Sequence, residues 1–135
     1  MNAPTTPNHL IPAVAQREVP DALIQKLKAL FGDRCSTAMA VREQHGRDES
    51  SLPEVVPDAV VMATSTDDVS TTLRLCFAAD VPVAPFGVGS SLEGHVLPVH
   101  GGVSLDLSEM DAILDVRPDD LLVVVQAGVR HQMQR

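Results

Sequence analysis

The chain has 135 residues, 44% of them hydrophobic, enough for one domain around a buried core and too apolar for a disordered segment. Its net charge of −8, from Lys+Arg 10 against Asp+Glu 18, excludes a general nucleic-acid binder and would be repelled by an anionic membrane surface. Aromatic residues make up 2%, with Trp 0 and Tyr 0, so base-stacking platforms are excluded and the core has to be built from Val, Leu, Ile and Ala.

In chain order, residues 1–19 read as a flexible lead. They hold Pro4, Pro7 and Pro12, with no basic residue before Arg17 and no continuous apolar stretch, unlike a secretory signal. Structure begins at Pro20-Asp21, where Asp21 is the expected cap of a helix that buries Leu23, Ile24, Leu27, Leu30 and Phe31 and stops at Gly32. Thr37–Arg42 reads as either a short helix or a strand, and Gly46 to Pro57 as a polar loop. Ala59–Ala63 is a short apolar run suited to a buried strand. Ser65 and Asp68 then open a helix that carries Val69, Leu73, Cys76 and Phe77 on one face, and Val81–Pro85 is the next strand. Residues 59–85 therefore predict a βαβ unit, with Ala59–Ala63 and Val81–Ala84 as parallel neighbours.

The last third alternates apolar and polar residues over Gly102–Leu107. Ala112–Val116 and Leu121–Val125 flank Arg117-Pro118-Asp119-Asp120, a hairpin signature. The expected fold class is α+β, a βαβ unit followed by antiparallel strands. No run approaches the ~18 apolar residues of a membrane span. Cys35 and Cys76 form no close pair, which fits core thiols in a reducing cytoplasm.

Most of the functional information lies in Pro85-Phe86-Gly87-Val88-Gly89-Ser90-Ser91-Leu92-Glu93-Gly94-His95. The dinucleotide fingerprint GxGxxG fails because Leu92 stands where the third glycine is needed. The P-loop GxxxxGK[ST] fails because His95-Val96 replaces Lys-Ser/Thr. What remains is a strand-to-loop turn whose glycines let the backbone approach a ligand, with successive N–H groups forming an anion nest and the Ser90 and Ser91 hydroxyls adding donors. No Lys or Arg lies between Arg74 and Arg117, so the nest reads as a set of neutral donors, suited to a pyrophosphate that is held and not transferred. Taken alone, the loop is explained slightly better as a plain Gly-Ser turn between strands.

Two blocks carry a wider likeness. One is His45-Gly46-Arg47-Asp48-Glu49-Ser50 followed by Pro57-Asp58-Ala59-Val60-Val61. The other is Pro85–Val96 followed by Asp106-Leu107-Ser108 and Val125-Gln126-Ala127-Gly128-Val129. With them the chain resembles the FAD-binding oxidoreductases of the vanillyl-alcohol oxidase type, within these the D-lactate dehydrogenase (cytochrome) and glycolate oxidase FAD-subunit group. The resemblance implies that residues 20–135 are the N-terminal part of such an FAD-binding domain. By the same likeness Gly87, Val88, Gly89, Ser90 and Ser91 wrap the FAD pyrophosphate, with Phe86, Gly94 and His95 nearby. It further implies oxidation of a D-2-hydroxy acid such as D-lactate or glycolate, with an electron acceptor that the sequence does not identify. The family's ring-contacting segment, substrate domain, catalytic histidine and metal-binding histidines would lie beyond residue 135. Arg130–Arg135 departs from the family's helix start, so a fragment is expected. The alternatives are a non-catalytic truncated remnant or a free-standing anion-binding module.

Other constellations have plainer readings. His95 and His100 flank Pro98 without a completing carboxylate and are expected as loop histidines, not a metal pair. His45 beside Asp48 and Glu49 is expected in a solvated loop. Asp67-Asp68 belongs to a helix start and Asp119-Asp120 to a turn.

Overall fold

A computed structural model describes residues 15–130. Most of the lead expected over 1–19, and residues 131–135, lie outside the described residues. Helix α1 (Asp21–Phe31) buries Leu23, Leu27 and Phe31, a repeat of four that keeps one stripe on the core. Asp21 does not cap it. Pro20 takes the cap position in an extended conformation, and its carbonyl accepts from the amides of Leu23 and Ile24. Asp21 instead occupies the first turn, where the helix dipole favours a carboxylate. Gly32 ends the helix at φ +55°. Leu30 stays exposed.

Strand β1 (Cys35–Ser36) follows, and then the ambiguous stretch resolves as helix α2 (Met39–Gln44). After the loop come strand β2 (Ala59–Met62), helix α3 (Thr66–Ala78), strand β3 (Val83–Phe86) and strand β4 (Val103–Asp106). Strands β5 (Ile113–Arg117) and β6 (Leu122–Val125) form the expected antiparallel hairpin around Pro118–Asp120, with Leu121 in the left-handed region at φ +52°.

The main sheet has the order β1-β2-β4-β3, with β1 antiparallel to β2 and the other three strands parallel. This corrects the expected pairing. β2 and β3 run parallel but are not neighbours, because β4 inserts between them. The alternation in β4 belongs to a central strand buried on both faces: Val103 and Leu105 join the helix-side core, while Ser104 and Asp106 are also buried.

On the helix side, α1 and α3 pack over Ala59, Val61, Val103 and Leu105, with Cys35 and Cys76 among them as free, buried thiols. The face of α3 is rotated from the expectation. Thr72 and Cys76 point inward, whereas Leu73 is half exposed and Phe77 is 89% exposed. The apolar stripe of this helix is wider than the sheet surface it covers.

Ser65 caps α3, accepting from the Asp68 amide at 3.1 Å. Asp68 reaches past the cap residue to the amide and hydroxyl of Thr64, both at 3.0 Å, and binds Arg34 of the turn after α1. The Arg34 guanidinium, with the Thr64 amide, holds the Asp68 carboxyl at about 2, down from 3.8. A carboxyl lowered in the folded state stabilises it above the unfolded value and loses that contribution as pH falls through the folded value. Asp68→Asn is therefore expected to cost about 1–2 kcal/mol at neutral pH, after allowance for solvent screening. The difference from wild type should shrink between 3.8 and about 2. Urea unfolding at a series of pH values measures it.

Candidate functional site

The site forms beyond the carboxyl ends of β3 and β4, where ligands gather on open α/β sheets. Parallel register sets Phe86 opposite Asp106. The chain leaves β3 at Phe86, and the segment 87–102 has to carry it back to the opposite end of the sheet, where Val103 starts β4 beside Val83, so a tight hairpin is impossible and the excess chain becomes the loop.

Gly89 takes φ +68°, and a Cβ there would lie 3.0 Å from the Phe86 ring. Gly87 has ordinary φ and open space around its missing Cβ. No acceptor among the described residues takes a hydrogen bond from the backbone amides of Gly87, Val88, Gly89, Ser90 or Ser91. Val88 and Ser90 are exposed, but Gly87, Gly89 and Ser91 are half-buried, where amides are normally paired. A run of five free donors around a positive-φ glycine is the composition of an anion nest.

A cavity of about 400 Å³ opens against this loop. Phe86, Gly87, Val88 and Gly89 line it, together with His45, Arg47 and Arg130. Ser90, Ser91, Gly94 and His95 do not. They form the far limb of the loop, where the Ser91 hydroxyl accepts from the amides of Glu93 and His95 and pairs with the His95 ring at 3.1 Å. The Ser91 carbonyl accepts from Glu49, tying the loop to the 46–57 segment. Gly94, at φ +76°, is packed so tightly against Leu52 that a Cβ would overlap it. The Ser91 hydroxyl thus organises the loop itself, not the cavity.

Two expectations change. His45 is not solvated: it is 6% exposed at the end of α2, with Nδ1 2.8 Å from Val41 O and Nε2 2.8 Å from Asp106 Oδ2. Its ring lies 4.3 Å from that of Phe86. Burial opposes its charge, but the hydrogen bonds with Asp106 and Val41 and the charge of Asp106 outweigh this and raise its pKa. Burial likewise works against the Asp106 carboxylate, and its bonds with His45 and Ser108 prevail and lower it. Nor is the nest served by neutral donors alone, because folding brings Arg47 and Arg130 to the cavity from sequence positions far outside the loop. Their acidic neighbours are partly engaged: Asp106 Oδ1 accepts from Ser108, and Asp48 Oδ1 accepts from the amide and hydroxyl of Ser50. The signal for this gathering in the sequence was the block His45–Ser50, which stands apart from the loop but belongs to the same likeness.

Comparison with known proteins bears on this geometry. Residues 57–135 match the family described as FAD binding domain. The chain belongs to that family. It is 38% identical over 110 residues to a probable mitochondrial D-lactate dehydrogenase of Danio rerio, covering 81% of this chain and 22% of that protein. Against glycolate oxidase subunit GlcD of Bacillus subtilis the identity is 34% over 90 residues, covering 67% and 19%. Among solved structures, p-cresol methylhydroxylase superposes with a TM-score of 0.74 at 25% identity, covering 87% of this chain and 24% of that one. Alkyldihydroxyacetonephosphate synthase superposes at 0.72 and 24% identity, covering 86% and 26%.

The FAD-binding domain is thus of the vanillyl-alcohol oxidase type, and its cofactor is FAD. The chain spans about a fifth of the length of the curated relatives it matches. The residues present fit the cofactor, since five free amides and a glycine whose Cβ would crowd the loop offer a cradle for a diphosphate. Among the described residues, no helix is long and apolar enough to cross a membrane.

Proposed function

We propose that Phe86, Gly87, Val88, Gly89, Ser90 and Ser91 bind the FAD pyrophosphate, with Gly94 and His95 holding the far limb of the loop in place. The observation that carries this reading is the run of five unpaired amides in a loop whose Gly87, Val88 and Gly89 line a cavity that also receives Arg47. The loop amides neutralise the bridging diphosphate, and Arg47 adds a guanidinium whose planar donors suit phosphate oxygens. Asp106, engaged by His45 and Ser108, is kept from opposing the anion with a free carboxylate.

The whole protein is read as a dehydrogenase of D-2-hydroxy acids, D-lactate or glycolate, in keeping with relatives named D-lactate dehydrogenase and glycolate oxidase subunit. The flavin supplies a hydride acceptor. This chain's own part is to anchor the cofactor. The two buried free thiols support a reducing compartment such as the cytoplasm. Expression of the whole gene product with D-lactate, L-lactate and glycolate as substrates tests the reading. Flavin bleaching and dye reduction with a D-2-hydroxy acid are expected, and a flavoprotein reduced by none of them would overturn the substrate assignment.

A further inference from the structure

The buried His45–Asp106 pair has a geometry that a neutral imidazole cannot satisfy while Asp106 is ionised, and the bonds to Asp106 favour its ionised form. Nδ1 faces the Val41 carbonyl and Nε2 faces the Asp106 carboxylate, each at 2.8 Å. Both partners are acceptors. A neutral ring carries one N–H and one lone pair, so one contact would be acceptor against acceptor, whereas an imidazolium donates to both. The ring also packs on Phe86, and Phe86 in turn lies against the position where Gly89 would carry a Cβ. A chain of contacts therefore runs from one proton to the free amides of the loop.

We propose that His45 is the positioning residue of the loop, held as an imidazolium between Val41 O and Asp106, so that the Gly87–Ser91 amides keep the geometry of an anion cradle only while His45 is protonated. Arg47, Asp48 and Glu49 from the loop after α2, Asp106 from β4, and Arg130 beyond β6 are the other charged groups on the same cavity. Asp106 alone of these is in hydrogen-bond contact with the ring. The upward displacement of the His45 pKa agrees with this arrangement. As pH rises through the His45 value, the proton leaves, one of the two contacts becomes repulsive, and the ring shifts against Phe86. The ligand consequence rests on the loop being the FAD cradle; the loop's own response does not.

Nitrogen-15 NMR of the labelled chain tests both. At neutral pH both ring nitrogens of His45 should be protonated, and the amide signals of Gly87, Val88 and Gly89 should titrate with the same midpoint as the ring. Asp106→Asn removes the carboxylate but keeps the shape, and should lower that midpoint by about 1–3 pH units. His45→Gln should abolish the titration step in the loop amides. A singly protonated His45 at neutral pH, or loop amides that ignore its titration, would overturn the proposal even if neither variant folds. FAD supplies the last arm, since its diphosphate is doubly esterified. Affinity that falls above the His45 midpoint in wild type, and stays flat in His45→Gln, supports the proposal. Equal, flat profiles overturn it. Absence of FAD binding at every pH would instead count against the loop as cradle, while the amide titration would still decide the role of His45.

Discussion

Gly102→Ala is expected to remove most of the stability of this chain, while Gly87→Ala leaves it within about 1 kcal/mol of wild type. Gly102 opens β4 at φ +94°, and a Cβ would lie 2.1 Å from the Pro82 carbonyl oxygen. That oxygen accepts from the Val103 amide, and Gly102 itself bonds Asp58 through both its amide and its carbonyl. An added methyl therefore strains the backbone and pushes β3 away from the central strand. Strain of about 1–3 kcal/mol together with overpacking of about 1–3 kcal/mol approaches the lower end of a domain's total stability. Thermal unfolding by circular dichroism should show a drop on the order of 10–20 °C for Gly102→Ala. Gly87, with no neighbour near its missing Cβ and an ordinary φ, is the control. Equal midpoints for the two variants would contradict the close approach of β3 and β4.

Gly89→Asp is expected to weaken FAD binding strongly, with a smaller effect on folding. The carboxylate would stand beside the diphosphate, where like charges cost about 1–4 kcal/mol at effective dielectrics of about 80–20. That corresponds to a loss of roughly fivefold to several hundredfold in affinity. Gly89→Asn has nearly the same shape without the charge and separates the two effects. It should lose the steric part alone, arising from φ +68° and the contact with Phe86. Isothermal titration with FAD, in parallel with unfolding curves, measures both. Asp and Asn variants that bind FAD as wild type does would remove Gly89 from the site.

The elements with strong periodicity or punctuation were legible in the sequence. Leu23, Leu27 and Phe31 lay out α1, Gly32 stops it, Ser65 caps α3, and Pro118 turns the hairpin, all from local chemistry. What local chemistry does not encode is which strand lies beside which. The alternation of Val103-Ser104-Leu105-Asp106 looks like a half-solvated strand. Its polar positions are nevertheless buried, because the segment around α2 and His45 covers the second face of the sheet. Asp106 is tolerated there because His45 pairs with it across a long stretch of sequence, a partner that periodicity cannot reveal. The positive φ of Gly89 was legible from the glycine-rich pattern of the loop. Arg47 and Arg130 were not legible as cavity residues, because they lie far from the loop in sequence and only folding brings them to it.

The central claim is that the Gly87–Ser91 amides take up the pyrophosphate of FAD. The most direct measurement is chemical-shift mapping of the nitrogen-15-labelled chain on titration with FAD, repeated with ADP-ribose, which carries the same esterified diphosphate without the flavin. The account predicts the largest amide shifts at Gly87, Val88, Gly89, Ser90 and Ser91 with both ligands, and their loss in Gly89→Asp. Saturable shifts centred elsewhere, or loop amides unmoved by either ligand, would contradict it.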